Sequence, residues 1–220
     1  MKIGIIVAME KELSPLLALC GNYEITSVIG NNIYTFEKYP DVVVALSGVG
    51  EIKAAMATTL LLSMYHVDHI VNYGYVGAYC ETLRLGQIVN ITSVVHCDFS
   101  LAVFGNQPGQ YEGMDTVEFV ADSHYFNALG YEQKKLSSSD NFLDPGPERD
   151  VVIQTFGPNV SDMEGAGIAV TCHKAGKPFS MLKCVSNELR QTSDDYMKFS
   201  FGGISECTKV IFETVFASND

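Results

Sequence analysis

The 220-residue chain is 47% hydrophobic and 18% charged, with 14 basic against 26 acidic residues and a net charge of -12. That length suffices for a full hydrophobic core, and the composition is that of one globular domain, residues 1–220, that buries much of itself. An acidic chain with no Lys/Arg cluster lacks the electrostatic footprint for a polyanion, which excludes nucleic acid as a partner but not an uncharged nucleoside.

The elements follow in order. Lys2–Ala8 is a continuous apolar strand of the kind covered on both faces. Its apolar run is short and is broken at once by Glu10, Lys11 and Glu12, so it is a first strand rather than a signal peptide. Met9-Glu-Lys-Glu-Leu13 opens a helix with Leu13, Leu16, Leu17 and Cys20 at helical spacing. Pro15 lies early in it, where proline is tolerated. Strands at Glu24–Ser27, Ile33–Glu37 and Val42–Leu46 form a meander that leads into Ser47-Gly-Val-Gly50. Glu51–Tyr65 is a strong helix, and His69–Tyr73 a buried strand ending at Gly74-Tyr-Val-Gly77. Ile88–Val95 alternates as a strand, and Phe99–Asp115 is a long irregular excursion of the kind found at functional sites or interfaces. A helix is expected over Asp122–Leu129, a strand over Leu136–Ser139 and a helix over Glu148–Phe156. The chain closes with one amphipathic helix, Asp194 to Phe216, capped by Ser193 and weakened by Gly202-Gly203. Alternating strands and helices predict an α/β fold with one sandwich domain.

The most informative stretch is Val160-Ser-Asp-Met-Glu-Gly-Ala-Gly167 with the strand returning over Ser180–Asn187. A strand–helix–strand unit of this length is expected to cross over right-handed, making its strands parallel and putting Glu164 and Asn187 on one carboxyl edge. There a carboxylate and an amide would face the two ends of a small polar molecule; equally, the unit could be structural, with Glu164 merely solvated. Glu12, just past the first strand, reaches the same edge if that strand is parallel to the others. A carboxylate whose pKa burial raises can take a proton from water, while a second can accept two hydrogen bonds from vicinal hydroxyls. Glu12 could as well be a solvated first-turn residue.

Other chemistries find little support. Ser47-Gly-Val-Gly50 lacks the third glycine of a dinucleotide turn because Lys53 stands there. His96 and Asp98 have no third metal ligand at suitable spacing, and no G-x-S-x-G surrounds a serine. The cysteines, Cys20, Cys80, Cys97, Cys172, Cys184 and Cys207, show no C-x-x-C spacing and are expected to be free thiols in a reducing, cytoplasmic setting. No stretch approaches the ~18 apolar residues of a membrane span.

Taken together, Ile3-Gly-Ile-Ile-Val-Ala-Met-Glu-Lys-Glu12, Ser47-Gly-Val-Gly50, Asn72-Tyr-Gly-Tyr-Val-Gly77, Phe104-Gly105, Phe142, Asp162-Met-Glu-Gly165 and Val185-Ser-Asn187 resemble, in this order and over nearly the whole chain, the 5′-methylthioadenosine/S-adenosylhomocysteine nucleosidases of the purine nucleoside phosphorylase superfamily. The resemblance implies a three-layer α/β/α sandwich around a central mixed sheet, a homodimer with no metal or cofactor, and cleavage of a purine nucleoside's N-glycosidic bond. It makes Glu12 the base that activates water and Glu164 the clamp on the ribose hydroxyls. Met163 would pack on the sugar, Phe142 would stack on the base, and the Leu143 backbone would read its edge. Ser186 and Asn187 would face the purine, and Phe104 would come from the partner subunit.

Three residues depart from that pattern. Asn187 stands where the family carries an aspartic acid that donates to purine N7, and an amide cannot deliver a proton. Serine–asparagine also occurs in futalosine hydrolases, which release a 6-oxopurine, so Asn187 points toward that base. Lys183 replaces an arginine, and Tyr75 replaces a small serine beside the attacking water, where it could fill the water or phosphate position. The expected activity is nucleoside hydrolysis; the alternatives are phosphorolysis, or a binding protein that has kept the pocket without the chemistry.

Overall fold

The structure, a computed structural model, describes residues 1–122, 125–198 and 203–216. Ten strands form one mixed sheet: β1 (Ile3–Val7), β2 (Glu24–Val28), β3 (Asn31–Thr35), β4 (Val42–Leu46), β5 (His69–Ala78), β6 (Ile88–His96), β7 (Glu118–Val120), β8 (Glu132–Ser138), β9 (Val160–Asp162) and β10 (Phe179–Asn187). Among the described residues six helices accompany it: α1 (Glu10–Cys20), α2 (Glu51–Met64), α3 (Pro147–Phe156), α4 (Gly165–Ala175), α5 (Ser193–Lys198) and α6 (Gly203–Ile211).

Strand side chains alternate between faces, and β1 shows the result. Ile3, Ile5 and Val7 join one core with Leu13 and Leu16 of α1 and Ile204 and Cys207 of α6, while Ile6 joins the other with Ala54, Ala57 and Leu61 of α2 and Ala166 and Ala169 of α4. A sheet covered on both sides needs apolar residues at every strand position, which is why β1 carries no polar alternation. Each fully buried Leu or Ile contributes roughly 1.5–3 kcal/mol over its exposed state. Among the described residues no helix is long and apolar enough to cross a membrane.

Four strands run parallel in the order β4, β1, β5, β10, so their carboxyl ends share one rim. On the far side of β10, β6 runs antiparallel to it, β8 and β9 continue parallel to β6, and β9 returns to pair antiparallel with the end of β5. β5, β10, β6, β8 and β9 thus close into a ring at one end of the sheet.

This topology corrects one expectation. β9 is antiparallel to β5 and β10 is parallel to it, so β9 and β10 run in opposite senses. The reason is the length of β5. It was expected to end at Tyr73 but continues to Ala78, past the level where β1 leaves it at Asn72. β9 comes back along that overhang, with Ser161 opposite Gly77, and carries Glu164 to the rim from the other direction.

Other differences are local. The helix expected over Asp122–Leu129 is reduced, among the described residues, to a single 3₁₀ turn at Asn127–Leu129, and Ser123 and His124 lie outside the description. The single closing helix is α5 and α6 followed by a π-turn at Phe212–Phe216; residues 199–202, including Gly202, lie outside the description. Pro15 falls in the second turn of α1, so the Lys11 carbonyl lacks an intrahelical donor there.

Candidate active site

Where the parallel strands end, the chain lines a cavity of about 360 Å³, at the lower end of the range for small-molecule sites. Four carboxyl ends or their loops feed it: Met9–Glu12 after β1, Val49 after β4, Tyr75–Gly77 within the β5 overhang, and Ser186-Asn187 at the tip of β10. β9 and its exit supply Ser161 through Glu164, and the segment after β8 supplies Asn141, Phe142 and Leu143.

Glu12 is buried, and both of its carboxylate oxygens are held by the backbone. Oε2 accepts from the Met9 amide at 3.0 Å and Oε1 from the Tyr75 amide at 3.0 Å. Gly74 makes the second contact possible, because a Cβ there would stand 2.9 Å from Glu12 Oε1. Burial raises the Glu12 pKa above the usual carboxylate range; the Tyr75 and Met9 amides and the Lys183 and Lys11 charges oppose that shift without cancelling it.

Glu164 is also buried, and its Oε1 accepts from the Gly50 amide at 3.1 Å. Burial, with the Asp162 carboxylate beside it, pushes its pKa up to about 7. Beneath both acids, Lys183 Nζ lies 2.8 Å from Asp162 Oδ2, with both side chains out of contact with water. Burial alone would lower the Lys183 pKa, but the Asp162, Glu164 and Glu12 carboxylates outweigh it and leave it raised. A buried ammonium among carboxylates holds its charge, so Lys183 is the fixed cation of the site.

Asn187 closes the far wall, its Oδ1 accepting from the Ser186 hydroxyl at 3.0 Å. The loop opposite is tied down by His96 and Asp98, which pair at 2.8 Å. Asp98 Oδ2 in turn accepts from the Asp140 amide at 3.0 Å, just before Asn141 and Phe142. Among the described residues no group of three His, Cys, Asp or Glu side chains converges as a metal site.

The model of the "Phosphorylase superfamily" matches residues 2–206. A "5′-methylthioadenosine/S-adenosylhomocysteine nucleosidase" of Tolumonas auensis is 32% identical over 214 residues, covering 90% of this chain and 93% of its own. The chain belongs to this nucleosidase family of the phosphorylase superfamily. A Lysinibacillus sphaericus nucleosidase of the same name is 32% identical over 201 residues, covering 85% of this chain and 86% of its own. Among solved structures, the Neisseria meningitidis nucleosidase in complex with methylthio-immucillin-A superposes with a TM-score of 0.90 at 26% identity, over 98% of this chain and 99% of that one. The futalosine hydrolase of Helicobacter pylori superposes with a TM-score of 0.88 at 21% identity, over 98% and 97% of the two chains, and so shares the fold.

Of the residues singled out by the family motifs, Glu12, Tyr75, Met163 and Glu164 line the cavity, as do Phe142, Leu143, Ser186 and Asn187. Phe104 does not: it sits in a 3₁₀ turn of the long excursion, 78% exposed, beside the equally exposed Val103. The Tyr75 ring lines the cavity but packs into the core that α6 covers, with Cys184 and Ile204. Lys183 is not a wall residue at all; it acts from beneath. Sequence reasoning gave no role to Asp162, although the residue lies inside a quoted motif. Lys11 and Tyr196 were also missed. The Lys11 ammonium donates to the Tyr196 hydroxyl at 3.2 Å across one mouth of the cavity, where the Phe142 and Tyr196 rings lie 5.7 Å apart. No sequence signal marked Tyr196, because α5 had been merged into a longer helix.

Proposed function

We propose that the chain hydrolyses the N-glycosidic bond of a 5′-modified purine nucleoside, with Glu12 as general base on water and Glu164 as the ribose clamp. The observation that carries this is the Glu12 carboxylate: buried, fixed by two backbone amides, and opening onto the cavity that Glu164 and Asn187 also line. Its raised pKa brings its basicity nearer neutrality, where a general base works best. Glu164 in its ionised form accepts from two vicinal hydroxyls while Gly50 holds its other lone pairs.

The Asn187 hydrogen-bond inventory favours a 6-oxopurine. The Ser186 hydroxyl stands 3.0 Å from Asn187 Oδ1 and 3.1 Å from the Val76 carbonyl; with its one hydrogen given to Asn187, the Nδ2 hydrogens are left for the ligand. N7 and O6 of a 6-oxopurine are both acceptors, whereas the N7 of a departing adenine needs a proton and its exocyclic amine needs an acceptor. Phe142 supplies the base-stacking wall and the Leu143 backbone reads the base edge, with Met163 the sugar contact and Tyr75 the wall beside the attacking water. We read the exposed Phe104 as a residue given to a second copy of the chain in a homodimer, so a Phe104→Ala enzyme that is monomeric and active would refute the exchange. The free cysteines suit a reducing compartment and a cytoplasmic enzyme.

The deciding experiment incubates the protein with adenosine-type and inosine-type 5′-thionucleosides, with and without phosphate, and resolves free base and ribose 1-phosphate by chromatography. Free base with no phosphate requirement is expected. Ribose 1-phosphate would make the chain a phosphorylase. Tight binding without base release would make it a binding protein, a reading that Tyr75 beside the water position and the missing proton donor at Asn187 favour.

A further inference from the structure

At the start of α2, behind the cavity wall, stands Glu51, 5% exposed. Its Oε2 accepts from the Gly167 amide and its Oε1 meets the Ser138 hydroxyl. The same hydroxyl oxygen lies 2.5 Å from Asp162 Oδ1. Ser138 has one hydrogen to give and two carboxyl groups to satisfy. If both were ionised, one contact would be two oxygen lone pairs facing each other away from water.

The rest of the network decides which acid holds a proton. Asp162 receives the Lys183 ammonium at 2.8 Å and the Gly165 amide at 3.0 Å. Protonating it would break the one direct ion pair of a buried ammonium and remove the largest of the three carboxylate charges that support it, so Asp162 is the anion. Ser138 therefore donates to Asp162, and the hydrogen between Glu51 and Ser138 belongs to Glu51. Burial and the Asp162 charge push the Glu51 pKa up to about 8, in agreement with that assignment. The groups around Glu51 offer it no cation: Asp162 and Glu164 face it from the corner between β9 and α4, Asp140 from the segment after β8, Cys97 from the end of β6, and Tyr111 from the long excursion.

Glu51 also sits where a small displacement reaches the ribose clamp. The amide of its neighbour Gly50 is the one that holds Glu164, and the Glu51 amide is itself capped by Asp140 Oδ1 at 2.8 Å. Gly167 brings the two helices into backbone contact there; a Cβ on it would stand 2.2 Å from the Glu51 carbonyl oxygen. The side chain of Glu51 thus stitches the first turn of α2 to the first turn of α4, one residue from the donor that positions Glu164.

We infer that Glu51 is a positioning residue held as the neutral acid: its proton, given to Ser138, completes the Ser138–Asp162–Lys183 chain and keeps the Gly50 amide on Glu164. This rests on Glu164 being the ribose clamp, but the protonation of Glu51 can be tested without activity. Glu51→Gln reproduces the neutral acid, with an NH2 donor toward Ser138 and a carbonyl acceptor for Gly167, and cannot ionise. A group protonated only in the folded state makes the unfolding equilibrium tenfold more favourable for each pH unit between its unfolded and folded pKa values.

Denaturant titrations of wild type and E51Q between pH 5 and 8 should therefore differ by about one proton in slope, with E51Q the flatter. Equal slopes overturn the inference. In the activity arm, E51Q should keep KM and kcat within about threefold at pH 7 and retain kcat/KM at pH 9, where the wild type loses it. A loss of more than about tenfold at pH 7 would show that Glu51 acts as an anion. Ser138→Ala, which removes the link without touching α2, should raise KM more than it lowers kcat; an unchanged KM overturns the positioning role. A one-proton slope difference in a protein that cleaves no nucleoside would uphold the neutral acid and reject the nucleosidase assignment instead.

Discussion

Replacing Asn187 by aspartic acid tests the substrate assignment most directly. The new carboxyl would stand at a buried position beside the Ser186 hydroxyl, now 3.0 Å from Oδ1. Desolvation there favours the protonated acid, and only that form can donate to N7 of a leaving adenine. General-acid assistance of this kind contributes roughly 10²–10⁴-fold, which at ~1.4 kcal/mol per decade is about 3–5 kcal/mol of barrier. Asn187→Asp should therefore raise kcat/KM on 5′-methylthioadenosine by two decades or more. On the inosine analogue it should lower kcat/KM, since one amide donor is lost. The same substitution has a stability signature. An acid whose folded pKa is raised stabilises the fold fully below the unfolded value of ~3.9 and loses that contribution as pH rises toward the folded value. The variant's melting temperature relative to wild type should thus fall between pH 5 and 8. The assay is steady-state base release on the two nucleosides at pH 6 and 7. If the wild type already cleaves the adenosine analogue as fast as the variant does, Asn187 does not select the base and the reasoning fails.

Three further outcomes follow from the same geometry. Glu12→Gln should lower kcat by at least about 10²-fold while leaving ligand affinity within a few-fold, because the shape of the side chain is kept and its one carbonyl oxygen still accepts from one of the two backbone amides; calorimetric binding beside turnover separates the two effects. Lys183→Met removes the cation from a fully buried pair 2.8 Å long and should cost about 3–5 kcal/mol in urea unfolding. A loss below 1 kcal/mol would mean that water reaches the pair. Because Glu164 titrates near pH 7, the unprotonated clamp should be lost as pH falls, so KM should rise progressively below about pH 7 in the wild type; a KM flat down to pH 5.5 would exclude it as the ionised ribose acceptor.

The layers of the fold were legible because buried parallel strands leave an unambiguous mark. Lys2–Ala8 and Val42–Leu46 are apolar runs, and Ser180–Val185 is apolar but for Ser180 and Lys183; each lies within a residue or two of an observed strand. The overhang of β5 was not legible: Gly74 and Gly77 are turn residues by habit, and only the pairing with β9 and β10 makes them strand. The split of the closing helix was hidden for a related reason, since Ser193–Lys198 alone is too short to print a helical period.

The wall residues of the site were legible and its floor was not, and the difference is physical. A side chain that touches ligand is constrained by the ligand's chemistry, so Glu12, Glu164 and Asn187 could be argued from what a nucleoside presents. Asp162, Lys183, Ser138 and Glu51 answer to one another, through hydrogens that no linear spacing reveals. Glu51 and Ser138 are 87 residues apart, and either one alone is an ordinary polar residue near the end of an element. Glu12, Asp162 and Glu164 share the one Lys183 ammonium, and Glu51, which faces Asp162 and Glu164 with no cation of its own, is the acid that fits the set as a neutral group. The proposed pair, Glu12 and Glu164, therefore cannot be understood from its own two carboxylates, because their protonation states at neutral pH depend on which acid behind the wall keeps its proton.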